Sequence, residues 1–208
     1  MGTRSARFSR VVLAPLAVAV IAAAWLGAAS ADDESPQEFI DQMTAGALVI
    51  LRDDSLSTTA KATRLENELG GCCDFATTAK LVAARNWRSF SPEERQEFVA
   101  LFRDYLIATY RKNIDSYGGE TIEIAGGRDE KFGDYTVFTR IKRDGGQAPV
   151  IVNYRLRKNA EGSWRVIDIV AEGISMISNL RSQFQEVYSR GGVQGLMKEM
   201  RKKITDQA

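Results

Sequence analysis

Apolar residues in this chain keep a helical spacing as far as Tyr110, switch to a two-residue alternation beyond Tyr117-Gly118-Gly119, and return to helical spacing from Ile177. That order of periods leaves few options. Each helical segment offers one apolar stripe and each alternating segment one apolar face, and both must be covered. Helices, then a sheet, then helices is an α+β layer arrangement in which the helices are the available cover.

The punctuation supports this reading. Ser35-Pro36-Gln37-Glu38 is a capping box with proline at the first helical position, followed by Phe39, Ile40, Met43, Ala47, Ile50 and Leu51. A second helix is predicted from about Thr59 to Leu69, ending at Gly70-Gly71, and Asp74 caps a third that holds Phe75, Leu81 and Val82. Ser91-Pro92-Glu93-Glu94 repeats the capping box ahead of a long stripe made by Phe98, Leu101, Phe102, Tyr105, Leu106, Thr109 and Tyr110. Four strands are predicted near 120–125, 133–142, 148–157 and 163–171, separated by Gly126-Gly127, Asp144-Gly145-Gly146 and Asn159-Ala160-Glu161-Gly162. Val150, Val152, Tyr154 and Leu156 share one face of their strand, with Asn153, Arg155 and Arg157 on the other, as in an antiparallel meander with one wet face. Two closing helices carry Ile177, Leu180, Phe184, Val187 and Tyr188, then Val193, Leu196, Met197, Met200 and Ile204, with Gly191-Gly192 between them.

The N-terminus reads as a targeting segment. Arg4, Arg7 and Arg10 precede an apolar run from Val11 to Leu26, and Ala29-Ser30-Ala31 supplies the small residues of a cleavage site. Residues 1–31 are therefore expected to be a cleavable secretory signal, and 32–208 a single domain that works outside the cytoplasm. Removing three arginines and no acid turns the net charge of +1 slightly negative. Nothing in that balance calls for nucleic acid as a partner.

The 208 residues contain no histidine. Imidazole-served nucleophiles, histidine metal sites and histidine pH switches are thereby excluded. No P-loop, dinucleotide glycine fingerprint or nucleophile elbow is present, so neither cofactor nor metal is expected. The adjacent Cys72 and Cys73 are the only thiols; they read as small buried hydrophobes beside Phe75, with an intermolecular disulfide as the alternative. Asp168 is the polar residue to explain. Alternation places it on the side of Trp164, Val166 and Val170, where a buried carboxylate could act as a base with a tyrosine. The structural alternative pairs it with Arg181 or with backbone amides near Gly173; Arg181 in turn reads as a structural pair or a lipid headgroup contact.

The chain resembles the periplasmic MlaC-type phospholipid carriers, the toluene-tolerance auxiliary component family. The likeness begins at Cys73-Asp74-Phe75 and runs through Leu81 to Trp87, Ser91-Pro92-Glu93-Glu94-Arg95-Gln96-Glu97-Phe98, Thr109-Tyr110 and Val152-Asn153-Tyr154-Arg155-Leu156. It is sharpest across Trp164-Arg165-Val166-Ile167-Asp168-Ile169-Val170, Glu172-Gly173-Ile174-Ser175 and Asn179-Leu180-Arg181-Ser182-Gln183-Phe184. The doublet Cys72-Cys73 departs from the family pattern, and a related branch that accompanies hopanoid systems makes a polycyclic lipid an alternative ligand.

The resemblance implies an α+β fold whose four-stranded, twisted antiparallel sheet, an NTF2-like meander, packs on helices around a lipid cavity. It also implies a carrier and not an enzyme, with two partners, an inner-membrane ABC transporter complex and an outer-membrane lipoprotein complex. Face assignment together with the resemblance nominates Leu101, Phe102, Tyr105, Leu106 and Tyr110 from the long helix as cavity wall. From the sheet it nominates Val137, Val150, Val152, Tyr154, Trp164 and Val166. Burial of roughly 25 methylenes contributes on the order of 20 kcal/mol gross before ordering and desolvation are subtracted, so such a carrier needs no polar signature.

Overall fold

The computed structural model describes residues 34–207 apart from 112, 113, 115, 116 and 144; the expected signal segment lies outside the described residues, as does Asp144 of the expected turn. Helix α1 (Pro36–Leu51) starts at the first capping box, where Ser35 N donates to Glu38 Oε2 at 2.9 Å and Glu38 N to Ser35 Oγ at 3.2 Å. Helix α2 (Thr58–Cys72) runs through Gly70-Gly71, which therefore do not end it. Helix α3 (Phe75–Ala83) is capped by Asp74, whose Oδ1 accepts from Thr77 N at 2.8 Å. Helix α4 (Pro92–Arg111) follows the second box, closed by Ser91 N on Glu94 Oε2 (2.9 Å) and Glu94 N on Ser91 Oγ (3.2 Å).

The strands β1 (Thr121–Asp129), β2 (Tyr135–Lys142), β3 (Val150–Lys158), β4 (Trp164–Ala171) and β5 (Ile174–Ser175) form one antiparallel sheet in sequential order. The sheet thus has five strands where four were predicted. The fifth is two residues long and hangs on the turn Glu172-Gly173, both at positive φ (48° and 79°), the backbone of a tight hairpin. Gly126-Gly127, read as a separator, lies inside β1. There the register slips between Ile124 and Gly126, a bulge at which Gly126 takes φ 116°. A Cβ on Gly127 would stand 2.5 Å from the Tyr135 ring and 2.8 Å from Thr136 O, so close backbone approach, not a turn, demands this glycine. The hairpin actually reverses at Lys131–Gly133.

Helix α5 (Met176–Thr205) is two limbs joined at Gly192, where φ 59° and ψ −160° break the helical path. This is the division expected at Gly191-Gly192. Both limbs bury their stripes in the same place, Ile177, Leu180 and Phe184 from the first and Leu196, Met197 and Met200 from the second.

Two cores result. In one, the inner face of the sheet (Val137, Ile141, Val150, Val152, Tyr154, Leu156, Val166, Ile169) meets α1 and α2 through Ile40, Met43, Ala47, Ala62 and Leu65. In the other, α3, α4 and α5 pack on one another around Phe98, Phe102 and Phe184, whose rings meet at centroid distances of 6.2–6.3 Å.

Strand β4 joins the two. Opposite it, Leu156 pairs with Val166 and Arg155 with Asp168, so Ile167 is one residue too many and inverts the alternation beyond it. Val166 and Ile169 both reach the sheet core, while Asp168 lies opposite Arg155 on the other face. This corrects the expectation that Asp168 shares a side with Val166; unbroken alternation cannot register an inserted residue. Asp168 is 2% exposed. Its Oδ1 accepts from Ile169 N (2.9 Å) and Ile177 N (3.1 Å), and its Oδ2 from Ser175 Oγ (2.6 Å). Ser175 Oγ in turn accepts from Ser178 N at 3.1 Å, so carboxylate and hydroxyl together cap α5. Arg181 is not its partner: Nε and Nη2 donate to Leu81 O at 3.1 and 2.8 Å, near the end of α3.

Replacing Asp168 with alanine strands the Ile177 amide and the Ser175 hydroxyl. Urea unfolding should register a loss of about 3 kcal/mol, and clearly less for Asp168→Asn, which keeps one acceptor. Equal stability of all three proteins would show that the carboxylate does not secure α5.

Candidate functional site

A cleft opens where the two cores meet. Its walls are Ala62 and Leu65 of α2, Phe75 of α3, Leu106, Ile107 and Tyr110 of α4, Val166, Ile167 and Ile169 of β4, and Cys73, Thr78, Ile114 and Met176. Glu66 and Arg111 complete the lining and are its charged members among the described residues. Position explains composition. Phe75 and Tyr110 pack against both cores without being fully enclosed by either, because the seam lies between them.

The cavity volume is about 40 Å³. That admits a few water molecules, whereas pockets for small molecules measure roughly 300–1,000 Å³. The facing walls are linked by few polar contacts. Thr78 Oγ1 donates to Ile167 O at 3.1 Å and Asp74 N to Val166 O at 3.0 Å. Between α2 and α4, Arg111 donates from Nε (3.1 Å) and Nη2 (2.7 Å) to the single oxygen Glu66 Oε1.

The structure divides the nominated residues into three groups. Leu106, Tyr110 and Val166 line the cleft. Leu101, Phe102 and Tyr105 belong to the three-helix core, and Tyr105 faces a different groove of about 250 Å³ that includes Glu199 and Lys203. Val137, Val150, Val152 and Tyr154 are buried in the sheet core. Trp164 lies with them at its margin, its Nε1 donating to Glu34 O at 3.1 Å and its ring 6.3 Å from that of Tyr135. The expectation puts the cavity between the sheet and the long helices; in the structure α2 also contributes, touching both β4 and, through Glu66, Arg111 of α4. The wall residues it missed, Ala62, Leu65, Phe75, Ile107, Ile114, Ile167, Ile169 and Met176, carry no mark that separates a cavity wall from a filled core. Only Glu66 and Arg111, a charged pair beside apolar positions of two helices, offered a signal.

Within this chain Cys72 and Cys73 are not joined in a disulfide. Cys72 is buried and its Sγ donates to Glu68 O at 3.5 Å. Cys73 faces the cleft, and its hydrogen bond to Cys72, together with burial, pushes its thiol well above the ordinary range. Tyr154 Oη is buried with no hydrogen-bond partner, and desolvation first, then the Cys73 and Cys72 thiols, raises the phenol. Asp168 faces Arg155 across the β3–β4 pairing, and Ser175 Oγ lies 2.6 Å from its Oδ2. Its two oxygens accept from two backbone amides and a serine hydroxyl, the backbone-amide pairing that the structural alternative names.

Tyr110 gives the cleft a titratable reporter. Burial first, and then neighbouring Tyr105, pushes its phenol up to about 12. The fold therefore favours the neutral form. That contribution is intact below about pH 10, where unfolded tyrosine is also neutral, and is lost as pH rises from there to about 12. Phenolate absorbance at about pH 11 should be lower in the native protein than in the urea-unfolded chain, and stability should fall across this window. Matching native and unfolded titration curves would place Tyr110 in water.

The solved structure of a phospholipid-binding protein from Ralstonia solanacearum, in complex with a phospholipid, superposes with a TM-score of 0.74 at 24% identity, over 84% of this chain and 99% of that one. It shares the fold. A relative from Haemophilus influenzae, the intermembrane phospholipid transport system binding protein MlaC, is 24% identical over 142 residues, which span 66% of this chain and 65% of that protein. The sequence pattern of the MlaC protein family matches residues 41–202, and the chain belongs to that family.

Proposed function

We propose that this chain is a carrier, not an enzyme, that holds phospholipid acyl chains in the cleft between its two cores. It shuttles lipid between an outer-membrane lipoprotein complex and an inner-membrane ABC transporter complex. Residues 1–31 act as the cleavable signal that delivers it to the periplasm. The observation that carries this reading is an apolar cleft at a seam between two packed cores, whose described lining holds one ion pair. Family membership supports it, as does the likeness in fold to a protein solved with a phospholipid. Among the described residues no helix is long and apolar enough to cross a membrane.

Each buried methylene contributes about 0.8 kcal/mol, so acyl chains alone supply the gross affinity. The cost lies in parting the walls, since 40 Å³ holds no chain. The seam suits that step, because most of the apolar contacts lie within one core or the other, with Phe75 and Tyr110 packing on both. Leu106, Tyr110 and Val166 touch the chains directly, joined by Ile107, Phe75 and Ile169; the remaining nominated residues support the walls from inside the cores.

Lipid extraction and native mass spectrometry of the purified protein test the proposal, and a phospholipid adduct is expected. Empty protein that takes up nothing from phosphatidylethanolamine–phosphatidylglycerol vesicles would defeat it. A charge in the wall should act locally. Ile107→Lys should lower bound lipid about tenfold or more, because a buried unpaired charge opposes chain burial by more than about 1.4 kcal/mol, with circular dichroism unchanged. A folded variant that binds normally would move the binding place elsewhere.

A further inference from the structure

Among the described residues the Glu66–Arg111 pair is the charge that lines the cleft, and it connects the two helices whose separation would admit a chain. Arg111 is 39% exposed and Glu66 24%, so the pair stands where the apolar lining gives way to solvent. Its geometry leaves capacity unused. Both Arg111 donors converge on one carboxylate oxygen, whereas a guanidinium presents a planar fork that matches two oxygens of one acceptor. A phosphodiester offers two such oxygens.

From this we infer that Arg111 is the phosphate-recognition residue of the cleft and Glu66 its internal competitor, so that the pair works as an exchangeable latch between α2 and α4. The inference rests on the carrier reading above. With acyl chains among Leu65, Leu106, Ile107 and Ile169, the first polar group of a phospholipid arrives at the level of Arg111. There its phosphate replaces Glu66 on the fork. The same exchange removes the link from α4 to α2, so taking the headgroup and parting the walls become one event. A diacylglycerol, which has chains and no phosphate, enters without that exchange and leaves the latch to re-form against it.

The test uses the full mature protein stripped of lipid and phosphatidylcholine vesicles that contain equal amounts of phosphatidylglycerol and diacylglycerol. Mass spectrometry gives the ratio of phospholipid to diacylglycerol recovered on the protein. The wild type should favour phospholipid by about tenfold or more, the discrimination that charge-assisted hydrogen bonds supply. Arg111→Gln should bring the ratio toward one, and Arg111→Lys, which keeps the charge and loses the fork, should fall between. Glu66→Gln should keep the preference and load faster in a stopped-flow assay with fluorescent phosphatidylglycerol. If Arg111→Gln does not fold, the Arg111→Lys ratio and the Glu66→Gln loading rate decide the matter. An unchanged ratio in the arginine variants, or unchanged loading without Glu66, overturns the latch and leaves the carrier reading intact. A wild type that recovers neither lipid overturns both. Inorganic phosphate titrated alone should give no saturable heat; saturable binding abolished by Arg111→Gln would assign the site to free phosphate and overturn the lipid role.

Discussion

Strand β4 carries one residue more than its partner β3 can match, and both cores depend on that surplus. With Ile167 bulged, Val166 and Ile169 point into the sheet core on either side of the irregularity, and Asp168 points the other way. The carboxylate then holds the start of α5 through the Ile177 amide and the Ser175 hydroxyl. A buried carboxylate is tolerated only where donors surround it, and besides the Ile169 amide of β4 its donors are the Ile177 amide and the Ser175 hydroxyl at the start of α5, where first-turn amides need acceptors. Two deficits cancel in one contact, and the three-helix core is tethered to the sheet by it.

The cleft is a consequence of that tether. The α3–α4–α5 core lies along β4, while α1 and α2 cover the sheet, so the two packings meet along a line that neither fills. Close packing within each core resists deformation, whereas the seam is crossed by an isolated bridge from Cys73 to Val166, the Thr78 hydrogen bond and the Glu66–Arg111 pair. A fold with a single continuous core would have to lose packing to admit a chain of methylenes. Here the cleft of about 40 Å³ lies between two packed units, with Phe75 and Tyr110 packing on both.

Much of the architecture is written locally. Both capping boxes, the Asp74 cap, the break near Gly192 and the alternation of Val150, Val152, Tyr154 and Leu156 depend on contacts within a few residues, and each appears where the sequence placed it. Local reading failed where a residue answers to a distant neighbour. Gly126-Gly127 is compositionally a turn, but its function is to bend β1 and to let the Tyr135 ring lie against bare backbone. Asp168 was rightly singled out as buried, yet its face was misassigned because Ile167 looks like any other strand residue.

The same limit governs the site. Apolar residues that fill a core and those that line a gap obey one preference, exclusion from water, so face assignment with the resemblance nominates Leu106, Tyr110 and Val166 together with Phe102 and Tyr154 but does not separate them. By itself the sequence determined the order of helices and strands, the caps that start them, the absence of imidazole chemistry and, through resemblance, the family. Only the tertiary structure decided that Asp168 secures a helix, that Arg111 meets Glu66 across 45 residues of chain, and that the walls of the cleft come from four helices and one strand. Periodicity is a property of neighbours along the chain; a cavity is a property of surfaces that meet only once the chain has folded.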